Sequence, residues 1–291
     1  MLTFKINNMR KLISGVFLIL GLSSFAQEYI PSANEINQFF NTKTMVVLED
    51  NPMMEYNYII KDVMKKDWTI TPFEFITVKE FEEKRSDPKY SFLIMTKTSF
   101  DRDNTGGEYN FLNVLLGGDA LRIGQMPAIC SVPLAYASVE EHSYIYKLGT
   151  LLRFVQNHIQ LIKSDPTIVS SNVFKYYNDN IANMKGKTLY LVEDELEKEI
   201  GSAARVKRIY PGKFRFVTRE EIEEAIKNRD PKVVFLHKVG PEGTKIKARC
   251  YKILIGAKDA KFYYFDYHMI NHKKPDGLLE KDLKKVAKNL E

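Results

Sequence analysis

Two acidic pairs, Glu49-Asp50 and Glu193-Asp194, are the first residues to test for chemistry. Each follows a short apolar run, Met45 to Leu48 and Leu189 to Val192, and ligands bind at the carboxyl ends of strands in open α/β sheets. Paired carboxylates there could hold a metal ion or divide acid and base roles. The same residue types also begin helices. Asp50-Asn51-Pro52 offers a capping side chain and a proline suited to a first turn, and Asp194 lies three residues before Glu197. A pair that occurs twice is explained more simply as helix punctuation than as one active site.

The other candidates are weaker. Asp101-Arg102-Asp103-Asn104-Thr105-Gly106 begins like a calcium loop, but Leu112 stands where the bidentate Glu should be, so a hairpin turn is expected. His142, His158, His237, His268 and His272 form no helical zinc pair. Ser131 and Ser143 lack a nucleophile elbow, and Cys130 has no His near it in sequence. Gly106-Gly107 and Gly117-Gly118 are not followed by the Lys-Ser or Lys-Thr of a phosphate loop. No metal and no cofactor is implied. Lys261 to Tyr267 is aromatic on both strand faces, with Lys245, Lys247, Arg249, Lys252 and Lys258 nearby. Rings beside cations could bind glycan through Tyr264 and Tyr267. A strand packed on both faces, flanked by solvated lysines, is the plainer reading.

The elements that must position these residues come in two copies. Lys43-Thr44-Met45-Val46-Val47-Leu48-Glu49-Asp50 matches Lys187-Thr188-Leu189-Tyr190-Leu191-Val192-Glu193-Asp194. Phe73 to Glu80 matches Phe214 to Glu221, and Asp87-Pro88-Lys89 matches Asp230-Pro231-Lys232. A fainter match joins Leu115-Leu116-Gly117 to Leu254-Ile255-Gly256. Collinear blocks of this kind mark a repeated unit. Its order is strand, helix, strand, helix, strand, hairpin, helix, which makes each copy an α/β module with a mixed sheet.

Local signals set the boundaries. Thr77 with Glu80, Thr218 with Glu221, Ser32 with Glu35 and Ser138 with Glu141 have capping-box spacing. Asp87-Pro88 and Asp230-Pro231 end the short helices. Ile145, Leu148, Leu152, Val155, Ile159 and Ile162 predict a long amphipathic helix whose extra apolar length suits packing between copies or subunits. In the second copy Leu196, Ile200, Ala203 and Ala204 predict the first helix, and Leu279, Leu283, Val286 and Leu290 the last.

The amino terminus has Lys5, Arg10 and Lys11, then an apolar run from Leu12 to Leu22, then Ser24-Phe25-Ala26 before Gln27, which has the zones of a secretory signal. Cleavage after Ala26 gives three segments: 1–26 as signal, 27–164 as the first module and 165–291 as the second. No Cys follows the apolar run to carry a lipid anchor, and no window is long enough to span a bilayer. Half of the formal excess of +6 resides in the leader, which argues against a nucleic-acid partner. Cys130 and Cys250 allow one disulfide or two buried thiols; Cys250 follows Ile246 and Ala248 at period two, which favours burial.

The Phe-Ala-Gln junction resembles signal-peptide ends common in Bacteroidota. The element order of both copies, with the Phe-x-Phe-Val-Thr-x-x-Glu segment, resembles the small α/β module of Tol-associated periplasmic proteins and the curli-export lipoprotein. That resemblance implies a periplasmic envelope-assembly or binding role and transfers no site residue. The expectation is a non-enzymatic periplasmic or secreted protein with an envelope protein partner and scope for homo-oligomers. A metal-dependent hydrolase using the strand-end acids and an envelope glycan binder are the alternatives. The hydrolase requires Asp50 and Asp194 to converge on one cleft.

Overall fold

The computed structural model describes residues 29–100, 103, 105–170, 172–243 and 247–290. The leader at 1–26, together with Asp101, Arg102, Asn104, Lys245 and Ile246, lies outside the described residues.

The first module runs α1 (Ala33–Phe39), β1 (Lys43–Val47), α2 (Glu55–Asp67), β2 (Phe73–Ile76), α3 (Val78–Lys84), β3 (Tyr90–Ser99), β4 (Glu108–Leu116), β5 (Ala128–Tyr136) and α4 (Leu148–Ser164). After α5 (Thr167–Ser170) and α6 (Val173–Asn178) the second continues with β6 (Thr188–Leu191), α7 (Ala203–Ile209), β7 (Lys213–Phe216), α8 (Arg219–Lys227), β8 (Val233–Val239), β9 (Arg249–Gly256), β10 (Phe262–Met269) and α9 (Glu280–Lys288). Each sheet has five strands, ordered β2-β1-β3-β4-β5 and β7-β6-β8-β9-β10. In both, the first three strands are parallel and the remainder antiparallel. The tandem α/β repeat is therefore present in topology as well as sequence.

Strand register corrects the equivalence read from the letters. Thr44 pairs with Phe73, whereas Leu189 pairs with Phe214; Lys43 pairs with Tyr90, whereas Thr188 pairs with Val233. Thr44 therefore corresponds to Leu189, one residue beyond the alignment on Lys-Thr. The hairpin block slips similarly, because Ser91 faces Leu116 and Val234 faces Gly256. A slip of one exchanges the two faces of a strand, so burial, not residue identity, fixes the pairing.

Three of the capping boxes form. Ser32, Thr77 and Thr218 each accept the backbone amide of the Glu three residues on, and that Glu returns to the cap amide. The fourth does not. Residues Glu141–Ser143 and Ile145–Lys147 make two 3-10 turns, and the long helix begins only at Leu148. The first helix of the second module is also shorter than its stripe suggests: 3-10 turns at Glu193–Glu195 and Lys198–Ile200 precede α7, which starts after the cap Ser202.

The layers stack in one direction. Val46, Leu93, Leu112, Val114 and Leu116 on one face of the first sheet pack with Tyr56, Ile60, Leu148, Leu152 and Val155 of the helices. The same core includes Phe235, Ile253, Ile255 and Phe262 of the second sheet. Helix α4 thus lies between the sheets, with the Phe154 and Phe262 rings stacked face to face. Arg153 reinforces the seat by donating to the carbonyls of Ala257 at 2.9 Å and Lys258 at 2.6 Å. Beyond the second sheet, Val206 of α7 and Leu283 and Val286 of α9 close the stack. At the other end, Phe81 of α3 and Met126 cover Met45, Val47, Phe92 and Ile94.

Cys130 and Cys250 are both free and buried, which resolves the two readings in favour of separate thiols. Burial raises the Cys130 thiol to about 12 and raises Cys250 as well, with Asp276 adding to the second shift.

Candidate functional site

The carboxyl end of β1 opens into a crevice of about 360 Å³ lined by Leu48, Glu49, Asp50, Tyr58, Lys61 and Thr77. Asn57, nearly buried on α2, fixes its floor: its side chain accepts from the Glu49 amide at 2.9 Å and donates to the carbonyls of Glu49 and Asn51, both at 3.0 Å. Asp50 does not cap α2. Met54 holds the cap position without a side-chain bond, and the first two helical amides, Glu55 and Tyr56, donate instead to the Glu141 carboxylate at 3.0 and 3.2 Å. This is where the Glu of the unformed Ser138 box has gone. A carboxylate at a helix amino terminus also meets the positive end of the helix dipole.

The Glu49 and Asp50 side chains are thereby left without a hydrogen bond or an ion pair among the described residues. Burial raises the pKa of Glu49, and repulsion from Asp50 and Glu141 adds to the effect. Tyr56, fully buried at the start of α2, has a hydroxyl with no hydrogen-bond partner among the described residues; burial, then Glu49 and Tyr144, raise its pKa.

The corrected register shows what the second module does at the same place. Glu49 and Asp50 correspond to Asp194 and Glu195, and Thr77 and Val78 to Thr218 and Arg219. Asp194 takes an ion pair from Arg219 at 3.2 Å, while Glu195 is buried and takes one from Lys147 at 3.0 Å. Glu193, the partner assigned to Asp194 by sequence, is exposed. Lys147 belongs to the 3-10 turn before α4, so the first module inserts a lysine into the strand end of the second. Burial alone would lower the Lys147 pKa; attraction to Glu195 and Tyr146 and their hydrogen bonds outweigh it and leave it raised. Asp50 and Asp194 do not share a crevice: the first lines the opening at β1, and the second is bound to α8.

A second polar cluster escaped the sequence reading. Lys252 is fully buried and donates to Asp282 at 2.9 Å, with His268 Nδ1 at 3.0 Å from its ammonium. Tyr264, also fully buried, donates to Asp282 at 2.7 Å. His268 Nε2 lies 2.8 Å from the Pro275 carbonyl, which makes Nε2 the donor and leaves Nδ1 to accept from Lys252. The signal was available in the sequence, because Lys252 has the parity of the buried Cys250 and Leu254 on β9. Each charged group in this cluster has its partner in place, so it holds α9 on the sheet.

The aromatic strand divides its rings between two faces. Tyr264 points into the core, whereas Tyr267, 37% exposed, packs against Phe174 and Tyr251. The pair does not form one glycan platform. Asp103, from the calcium-like loop, pairs with Arg249 at 2.5 Å. His158 is bonded to Tyr177, and His237 Nε2 lies 3.0 Å from the Pro133 carbonyl. Burial lowers His158 to about 4; burial, with Lys147 adding to it, lowers His237 to about 3. No group of three His, Cys, Asp or Glu side chains among the described residues is placed to hold a metal ion. No helix among them is long and apolar enough to cross a membrane.

Compared with known proteins, the chain matches no family model, no curated protein and no solved structure.

Proposed function

We propose that this chain is a non-enzymatic periplasmic binding or envelope-assembly protein that acts through protein-protein contacts. The observation that carries the reading is the seat of Lys147 on Glu195: the strand end of the repeated module serves as a receptor for a segment of another module. Both partners are buried, as in a permanent protein interface, and the pair is flanked by the apolar contact of α4 with the second sheet. Export is supported by the charged, apolar and small-residue zones of 1–26. The resemblance in element order to modules of Tol-associated and curli-export proteins agrees with an envelope role.

The test is recovery of the tagged mature chain from the envelope fraction of its own source, with identification of proteins that co-purify in stoichiometric amount. A defined partner is the expected result. Absence of any partner, with turnover of generic ester, phosphate or glycoside substrates by the purified chain, would replace this reading with a hydrolytic one.

A further inference from the structure

We propose that the Glu49–Asp50 crevice of the first module docks a lysine-bearing turn of a partner protein, in the manner in which Glu195 of the second module holds Lys147. The proposal rests on the protein-binding reading and names the surface and the chemistry of what binds there.

Three observations converge on it. The first is positional: register makes Asp50 the counterpart of Glu195 and Glu49 that of Asp194, so the occupied crevice is a template for the open one. The second is charge. Asp194 and Glu195 each have a cation, Arg219 and Lys147, whereas Val78 stands where Arg219 would be, and Lys61, which lines the crevice, forms no ion pair with Glu49 or Asp50 among the described residues. Glu49, Asp50 and Glu141 consequently repel one another around a half-buried carboxylate, and an entering ammonium relieves that repulsion. The third is the rim. The Lys147 ammonium lies 5.1 Å from the ring of Tyr146, so the docked segment brings an aromatic with its lysine. At the first module Tyr58 is 60% exposed and Met53 78% exposed beside the crevice, apolar surface of the kind such a ring covers.

A bare cation fits less well than a lysine, since no three metal-capable side chains converge among the described residues. The chain's own donor is already used, because Lys147 is 1% exposed and paired. The occupant is therefore a separate protein.

The probe is a synthetic peptide of residues 141–149, which contains Tyr144, Tyr146 and Lys147, titrated into the ¹⁵N-labelled mature chain. Amide shifts are expected at 48–58 and 77–80. Binding should weaken at least about tenfold, the equivalent of roughly 1.4 kcal/mol, for a peptide with Lys147→Gln. The same loss is expected for the chain with Glu49→Gln and Asp50→Asn. A second variant, Val78→Arg, imports the cation of the second module and should block the peptide without removing an acid. Absence of binding, affinity indifferent to all three changes, or shifts confined to another surface would overturn the assignment. So would a dimer in sedimentation that Glu49→Gln with Asp50→Asn dissociates, because the occupant would then be a second copy. None of these results bears on whether a partner co-purifies, which tests the broader reading alone; a partner retained by the doubly substituted chain sinks only the crevice.

Discussion

Replacing Lys147 with Met keeps most of the side-chain volume and removes only the ammonium that joins the modules. The Lys147 and Glu195 side chains are 1% and 6% exposed and 3.0 Å apart, and the second Glu195 oxygen has no hydrogen-bond partner among the described residues. At an effective dielectric of about 20 a pair at that distance attracts by roughly 5 kcal/mol. The substitution deletes the attraction and leaves the carboxylate buried, which for interior pairs costs about 3–5 kcal/mol, against about 0–1 kcal/mol for an exposed pair. For a chain of this size the unfolding midpoint should fall by roughly 10 °C. Glu195→Leu alone should cost a similar amount, because the lysine is then stranded. Both substitutions together remove both charges and should return the chain to within about 2 kcal/mol of the original. The assay is a double-mutant cycle by urea unfolding and calorimetry near neutral pH. A loss below about 1 kcal/mol for Lys147→Met would refute the buried pair. Costs that simply add in the double variant would show that the two groups do not interact.

Three further outcomes follow from the same geometry. Cys130 and Cys250 should be inert to a thiol reagent in the folded chain and both react on unfolding, and reductant should not move the midpoint; one native reactive thiol would contradict their burial. Thr77→Ala and Thr218→Ala each remove the hydroxyl that accepts a helix amide, for a loss of about 1 kcal/mol apiece in urea unfolding. His158 and His237 are held neutral in the folded chain, at about 4 and about 3, while their unfolded counterparts take up protons near 6.5. Since the unfolded state then binds more protons, their contribution is whole above that value. It falls as pH drops toward 4, by roughly 1.4 kcal/mol per unit for each. Midpoints that do not change between about pH 7 and about pH 5 would place these rings in solvent.

What the sequence revealed follows from the range of the forces involved. The boxes at Ser32, Thr77 and Thr218 are closed by residues three apart, so the letters suffice. Ser138 and Glu141 are spelled the same way, but Glu141 is drawn to the amides of Glu55 and Tyr56, more than eighty positions upstream, and spacing carries no trace of that competition. The acid pairs failed for a related reason. Lys43-Thr44 and Lys187-Thr188 are identical, yet strands align by which face they bury, and that criterion moves the match by one residue and makes Glu195 the partner of Asp50. By residue type Lys252 reads as a solvated lysine, whereas its parity on β9 places it with buried residues. A lysine in register with Cys250 and Leu254 must be buried and therefore paired, as it is with Asp282.

The differences between the copies explain which faces of the two-sheet stack are closed and where it stays open. A repeated unit buries its faces against its neighbours, and the terminal units need a surface that water accepts. At one end α9 supplies this: Leu283 and Val286 face inward, while Lys281, Lys284, Lys285 and Lys288 face out, so no further sheet can stack on it as the second sheet stacks on α4. At the other end the loop from β4 to β5 is longer than its counterpart from β9 to β10, and it folds Ala120 and Met126 over the sheet face turned away from α4. Arg85 ties that loop down by donating to the carbonyls of Ala120 at 2.7 Å and Leu121 at 3.2 Å. Both broad faces are thus sealed from within the chain. The strand end of the first module has no such substitute: among the described residues no Arg at 78, no inserted lysine and not even the neighbouring Lys61 pairs with Glu49 or Asp50. Leaving the half-buried Glu49 unpaired costs stability that Val78→Arg would recover, so the same variant that should block the peptide should also raise the unfolding midpoint. A midpoint unchanged or lowered by it would mean that Glu49 is already satisfied by solvent, and that the asymmetry between the crevices has no energetic content.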